Sequence, residues 1–80
     1  MQEIQFNPHQ KSMSNLYHLI SDGEFHSLEF LSSQLGVSNA GAVAHRLKHH
    51  IEPYDLTIQT VRLPKHKKKS LIMVAKGEEL

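Results

Sequence analysis

Val37-Ser38-Asn39-Ala40-Gly41-Ala42-Val43-Ala44-His45-Arg46-Leu47-Lys48-His49-His50-Ile51-Glu52-Pro53 is the stretch on which the reading of this chain turns. Ala40, Val43, Ala44, Leu47 and Ile51 recur at helical spacing and mark one apolar face of a helix. Val37-Ser38-Asn39 reads as the turn before it. Pro53 stops it, because proline has no amide hydrogen and its ring clashes with the preceding turn. The opposite face is polar, with Ser38, Ala42, His45 and His49 along it and Asn39 and Arg46 on its flank.

Working back from this helix, Ser27 reads as an N-cap, and Leu28, Leu31 and Leu35 follow at helical spacing. Gly36 stands where a left-handed residue closes a helix, so a short second helix is expected. Asn7-Pro8 supplies a helix start, Met13, Leu16, Tyr17 and Ile20 an apolar stripe, and Ser21-Asp22-Gly23 a stop, which predicts a first helix over residues 8–21. Glu24-Phe25-His26 is too short for an independent strand but suits the edge of a sheet formed later in the chain.

Working forward, residues 56–63 are rich in apolar and β-branched side chains. Leu56 and Ile58 are in phase and Val61 and Leu63 one step out, which predicts a strand with a bulge near Thr60. Pro64-Lys65-His66-Lys67-Lys68-Lys69 breaks the pattern, and Ser70-Leu71-Ile72-Met73-Val74-Ala75 resumes it as a second strand. The whole reads as one α+β domain over residues 1–80: three helices with a C-terminal β-hairpin, in the order of a winged helix-turn-helix. Residues 1–7 and 76–80 are expected to be loose.

A resemblance sharpens this. Ser21-Asp22-Gly23-Glu24-Phe25-His26-Ser27 followed by Leu35-Gly36-Val37-Ser38 resembles the N-terminal DNA-binding domain of biotin operon repressors, over about residues 14–63. The stretch from Val43 to Arg62 is also similar to small phage-type helix-turn-helix proteins that end in such a hairpin. The repressor resemblance implies that residues 28–51 form a helix-turn-helix, with the helix after Val37-Ser38 presented to the major groove. Its usual spacing would place the first apolar residue of that helix at Ala42, whereas the larger Val43 comes one later, so the turn reads one residue longer. Nothing like a biotin ligase catalytic domain follows, so no enzymatic activity carries over.

Composition agrees with an ordinary folded domain. Of 80 residues, 39% are hydrophobic and seven are histidine. That apolar share is too large for a disordered chain, and at this size there is room for one core. There is no cysteine, which removes disulfides, thiolate metal sites and thiol nucleophiles. No apolar stretch is long enough to span a bilayer and no leader-like start is present, so a cytoplasmic protein without a membrane partner is expected. The net charge of +1 conceals an asymmetry. Residues 1–40 carry one lysine against four carboxylates, net −3, and residues 41–80 carry eight basic against four acidic groups, net +4.

Those charges indicate the chemistry. A helix fits the DNA major groove, where arginine bridges guanine, asparagine bridges adenine and an alanine methyl meets the thymine methyl. Ser38, Asn39, Ala42, His45, Arg46, Lys48 and His49 are therefore the candidate base and groove contacts. Arg62, Lys65, His66, Lys67, Lys68 and Lys69 are the candidate phosphate contacts of the wing. The plainer alternative for the lysines is a hairpin edge kept soluble. His45 and His49 share a helix face at a metal-binding spacing, but two ligands are too few, so no metal or cofactor is expected. No phosphate loop, carboxylate pair or activated serine marks a catalytic centre, and an enzyme is not expected. Double-stranded DNA is the expected partner and a bacterial or phage transcriptional regulator the expected role. A homodimer or protein partner, to which Ile4 and Phe6 are candidates to contribute, is expected to add specificity. The rival reading is a winged helix that engages another protein as adaptor or antagonist without DNA.

Overall fold

A computed structural model describes residues 4–62 and 69–79. Helix α1, Lys11–Ile20, is preceded by a 3-10 turn at Pro8–Gln10. The helix expected over residues 8–21 thus opens with a tighter first turn, a frequent arrangement at helix N-termini. Asn7 organises it: its N–H donates to Gln10 Oε1 at 2.9 Å, and the Gln10 N–H donates to the Asn7 carbonyl at 2.9 Å. Met13, Leu16 and Ile20 are buried and Tyr17 packs at the core's margin, so the expected stripe is the packed one. Gly23, at φ 74°, turns the chain away, and its N–H donates to the Ile20 carbonyl at 3.3 Å.

Strand β1, His26–Ser27, leads directly into α2, Leu28–Leu35. Ser27 serves both: it belongs to the strand, and its Oγ accepts from the Phe30 N–H at 3.1 Å, capping the helix. Gly36 ends α2 at φ 67°, its own N–H bonding the Ser33 carbonyl and the Val37 N–H reaching the Ser32 carbonyl at 3.1 Å. This pair of bonds is the closure that favours glycine there. Helix α3, Ala40–Ile51, then buries Ala40, Val43, Ala44, Leu47 and Ile51, the whole of the expected stripe. Ser32 on α2 joins the two helices, its Oγ accepting from the Ala40 N–H at 3.0 Å.

A second 3-10 turn, Glu52–Tyr54, carries Pro53, and Asp55 at φ 60° redirects the chain into β2, Leu56–Arg62. Strand β3, Lys69–Ala75, pairs antiparallel with both β1 and β2, giving the sheet order β1-β3-β2. The described residues thus form an α+β arrangement of three α-helices and a three-stranded antiparallel sheet.

The bulge expected near Thr60 is not there. Register runs without a slip from Leu56↔Ala75 to Arg62↔Lys69. The phase change has a different cause. Leu56, Ile58, Leu71 and Met73 lie on the face turned to the core, whereas Val61 belongs to the opposite face with Ile72 and Val74. Toward the tip the sheet outruns the core, and Thr60 and Arg62, on the core-side face, are exposed.

The two ends also differ from expectation. Ile4 is buried in the core, and Phe6 stacks on His50 with ring centroids 4.8 Å apart and meets Tyr17 at 5.6 Å. His50 donates from Nε2 to the Gln5 carbonyl at 2.7 Å. Residues 4–7 are therefore seated on α1 and α3 rather than loose, and Ile4 and Phe6 are occupied within the chain rather than offered to a second copy. At the other end, the Lys76 N–H donates to the Asp55 carbonyl at 2.9 Å and extends the hairpin, while Lys76 Nζ lies 3.3 Å from Glu52 Oε1.

Candidate nucleic-acid interface

The outward surface of α3 is divided lengthwise. With Ala40, Val43, Ala44, Leu47 and Ile51 packed beneath, the helical period sends the remaining side chains into a ridge and two flanks. Exposed Ala42 and His49 occupy the ridge. Gly41, His45 and Lys48 lean toward the hairpin, and Arg46 and His50 toward the start of α1.

On the hairpin side, α3 and the sheet enclose a cleft of about 510 Å3. Gly41, Ala44, His45 and Lys48 line one wall, and Gln59, Thr60 and Lys69 the other. Lys69, expected in the loop, is the first residue of β3 and sits directly across from Arg62. Both are exposed and share the sheet face that carries Leu71, which is turned toward the helices. Two cations opposed across strands repel each other, and such a pair is unfavourable without an anion between or beside them. Of the wing residues singled out above, Lys65, His66, Lys67 and Lys68 lie outside the described residues.

The structure therefore brings His45, Lys48 and Lys69 to one cleft, and does not bring Arg46 and His49 there. Those two line a second cleft, on the α1 side, described below. Ser38 is exposed just before the helix. Asn39 caps α3: its Oδ1 accepts from the Gly41 N–H at 3.0 Å. That acceptor is the atom a bidentate adenine contact would use. Gly41 has a corresponding reason to be small, since a Cβ there would meet Asn39 Oδ1 at 3.0 Å.

Sequence reasoning missed Gln59, Thr60 and Glu79 as lining residues. Alternation along β2 could have flagged Gln59 and Thr60. Nothing local marks Glu79, a carboxylate brought to the cleft only by the fold of the tail. The histidines divide by role. His45 and His49 meet edge to face, with ring centroids 4.9 Å apart. Among the described residues no group of three or more His, Asp or Glu is arranged to hold a metal ion. His26 belongs to the turn after α1: its Nε2 is 3.0 Å from Asp22 Oδ1, and its ring stacks on Phe30. That hydrogen bond, with a second from the Glu24 N–H, holds the Asp22 carboxyl below its usual range.

Comparison of the chain with family models, with curated proteins and with solved structures finds no match in any of the three. No helix among the described residues is long and apolar enough to cross a membrane.

Proposed function

We propose that the chain is a winged helix-turn-helix protein that grips duplex DNA and acts as a small transcriptional regulator. In this reading α3 enters the major groove and the β2–β3 hairpin lies on the adjoining backbone. One observation carries it: His45 and Lys48 of α3 converge with Lys69 of β3 on a single cleft, with Arg62 beside Lys69. Side chains from two separate elements thus offer positive charge at the margin of a protruding helix, which is what a groove bounded by phosphates requires. The three helices and antiparallel hairpin are compatible with that fold. The resemblance of residues 14–63 to the biotin operon repressor domain points the same way.

The test is a fluorescence-anisotropy titration of labelled duplex at two ionic strengths. Expected is binding whose logarithmic salt slope is several units. The variant carrying Lys48→Ala, Arg62→Ala and Lys69→Ala should lower that slope by about two to three, close to 0.9 for each phosphate contact removed. Duplex binding of unchanged strength and slope in the triple variant would reject this surface.

A second reading is favoured by Phe25 and Phe30, the two large hydrophobic side chains exposed among the described residues. They lie at β1 and α2, near Asp22, Glu24 and Glu29, and suit a protein partner. Binding of such a partner would depend weakly on salt, whereas the DNA reading requires a steep dependence.

A further inference from the structure

The second cleft on α3 has no part in the wing contact and is built from a different side chain. It lies between α3 and the start of α1, encloses about 590 Å3, and is lined by His9, Gln10, Ser12, Arg46, His49 and His50 together with Met13. No carboxylate is among those lining residues. His9 comes from the 3-10 turn, Gln10 and Ser12 from the beginning of α1, and the other three from one flank of α3. The ridge of Ala42 and His49 therefore has a cationic cleft on each side: lysines toward the hairpin, imidazoles and a guanidinium toward α1.

A helix inserted in the major groove has one sugar–phosphate strand on each side of it, about 12 Å apart. Resting on the duplex reading above, this symmetry assigns an occupant to the cleft. We propose that the cleft between the Pro8–Gln10 turn and α3 seats backbone phosphates of the strand opposite the wing, and that its hold on the duplex strengthens as His9 and His49 become protonated. Arg46 supplies the permanent charge and a forked donor suited to phosphate. Gln10 and Ser12 add neutral donors.

The groups facing these imidazoles can be stated element by element. From α3 they are Arg46, His50, and His45 with its ring edge-on to His49. From the 3-10 turn and α1 they are His9, Gln10 and Ser12. From the N-terminal segment they are the Gln5 carbonyl and the Phe6 ring, both engaged by His50. His50 is thereby fixed as part of the cleft wall. His9 and His49 are exposed, and they are the pair able to answer an arriving phosphate by taking up a proton.

The experiment measures anisotropy of a labelled duplex at fixed ionic strength between pH 8 and pH 5.5. It uses the full chain, a His9→Gln/His49→Gln double variant and a Lys48→Ala/Lys69→Ala double variant, each checked for folding by its thermal melt. Both histidines are exposed, so their replacement by glutamine leaves the core intact. The wild-type Kd should fall about tenfold toward pH 5.5, with the salt slope rising by about one to two as two imidazolium contacts form. The histidine variant should lose most of that response, and the lysine variant should keep it while binding more weakly throughout. A pH response retained in full by the histidine variant, or a wild-type affinity that does not change with pH, overturns the phosphate seat and leaves the wing-side reading standing. Absence of duplex binding by the wild type at both pH values overturns the DNA reading itself, and the seat with it.

Discussion

Ser32 shows how much one hydroxyl does here. The Ala40 N–H stands at the first turn of α3, where no intrahelical acceptor exists, and Ala40 is buried. The Ser32 Oγ satisfies it. Ser32→Ala should therefore destabilise the fold by about 1–2 kcal/mol in urea unfolding, the usual cost of an orphaned buried donor. Ser33→Ala, one position along and exposed, should change it far less. Equal losses from the two would show that the bond contributes nothing. Asp22 offers a test in pH. Its carboxyl titrates lower in the folded chain because His26, and then the Glu24 N–H, bind the charged form. The stabilisation is thus present above the unfolded carboxylate pKa of about 4 and is lost as pH falls through the lower folded value. Wild type should exceed Asp22→Asn in urea midpoint at pH 6 by a small margin, since the site is exposed, and the gap should close by pH 2.5. A gap that widens on acidification would contradict the assigned cause. Caps such as Ser27 and turns such as Gly36 were legible in the sequence because their chemistry is local. The capping role of Asn39 was not, since an asparagine before a helix suits both a cap and a base contact.

At the scale of elements, the apolar stripes of α1 and α3 were read correctly because a helix repeats its packed face every three to four residues wherever it lies. The hairpin was harder. Its phase shift read as a bulge because the sequence does not say where a strand passes beyond the core. The uninterrupted register Leu56↔Ala75 to Arg62↔Lys69 gives the answer. It also sets Arg62 against Lys69, which leads to a prediction of opposite signs. Lys69→Glu converts a repelling cross-strand pair into an attracting one and should stabilise the hairpin by about 0.2–1 kcal/mol. The same change should weaken duplex binding at least several-fold and lower its salt slope by about two, one for the lost cation and one for the added anion. Thermal melts and anisotropy on the same preparation report both. A variant that is both less stable and fully competent to bind would refute the role given to the pair.

For the whole molecule, the opposite charge of the two halves was visible in the sequence, as was the likeness of residue order to a winged helix. How α3 shares out its polar side chains was not visible. His45 and Arg46 are neighbours in the chain yet line different clefts, and only the positions of the hairpin and of the Pro8–Gln10 turn decide which goes where. The same long-range packing explains the N-terminal segment, whose apolar residues read as available for a partner but fill space over α1 and α3. Both extremities of the described chain consequently come to rest at the margins of α3: the Gln5 carbonyl on His50, and Glu79 in the hairpin-side cleft. Anything appended at either terminus, an affinity tag or a neighbouring domain in a fusion, would thus emerge beside the surface being assayed. A weak signal from tagged material would report steric crowding as readily as intrinsic affinity, so cleaved protein is the appropriate reagent.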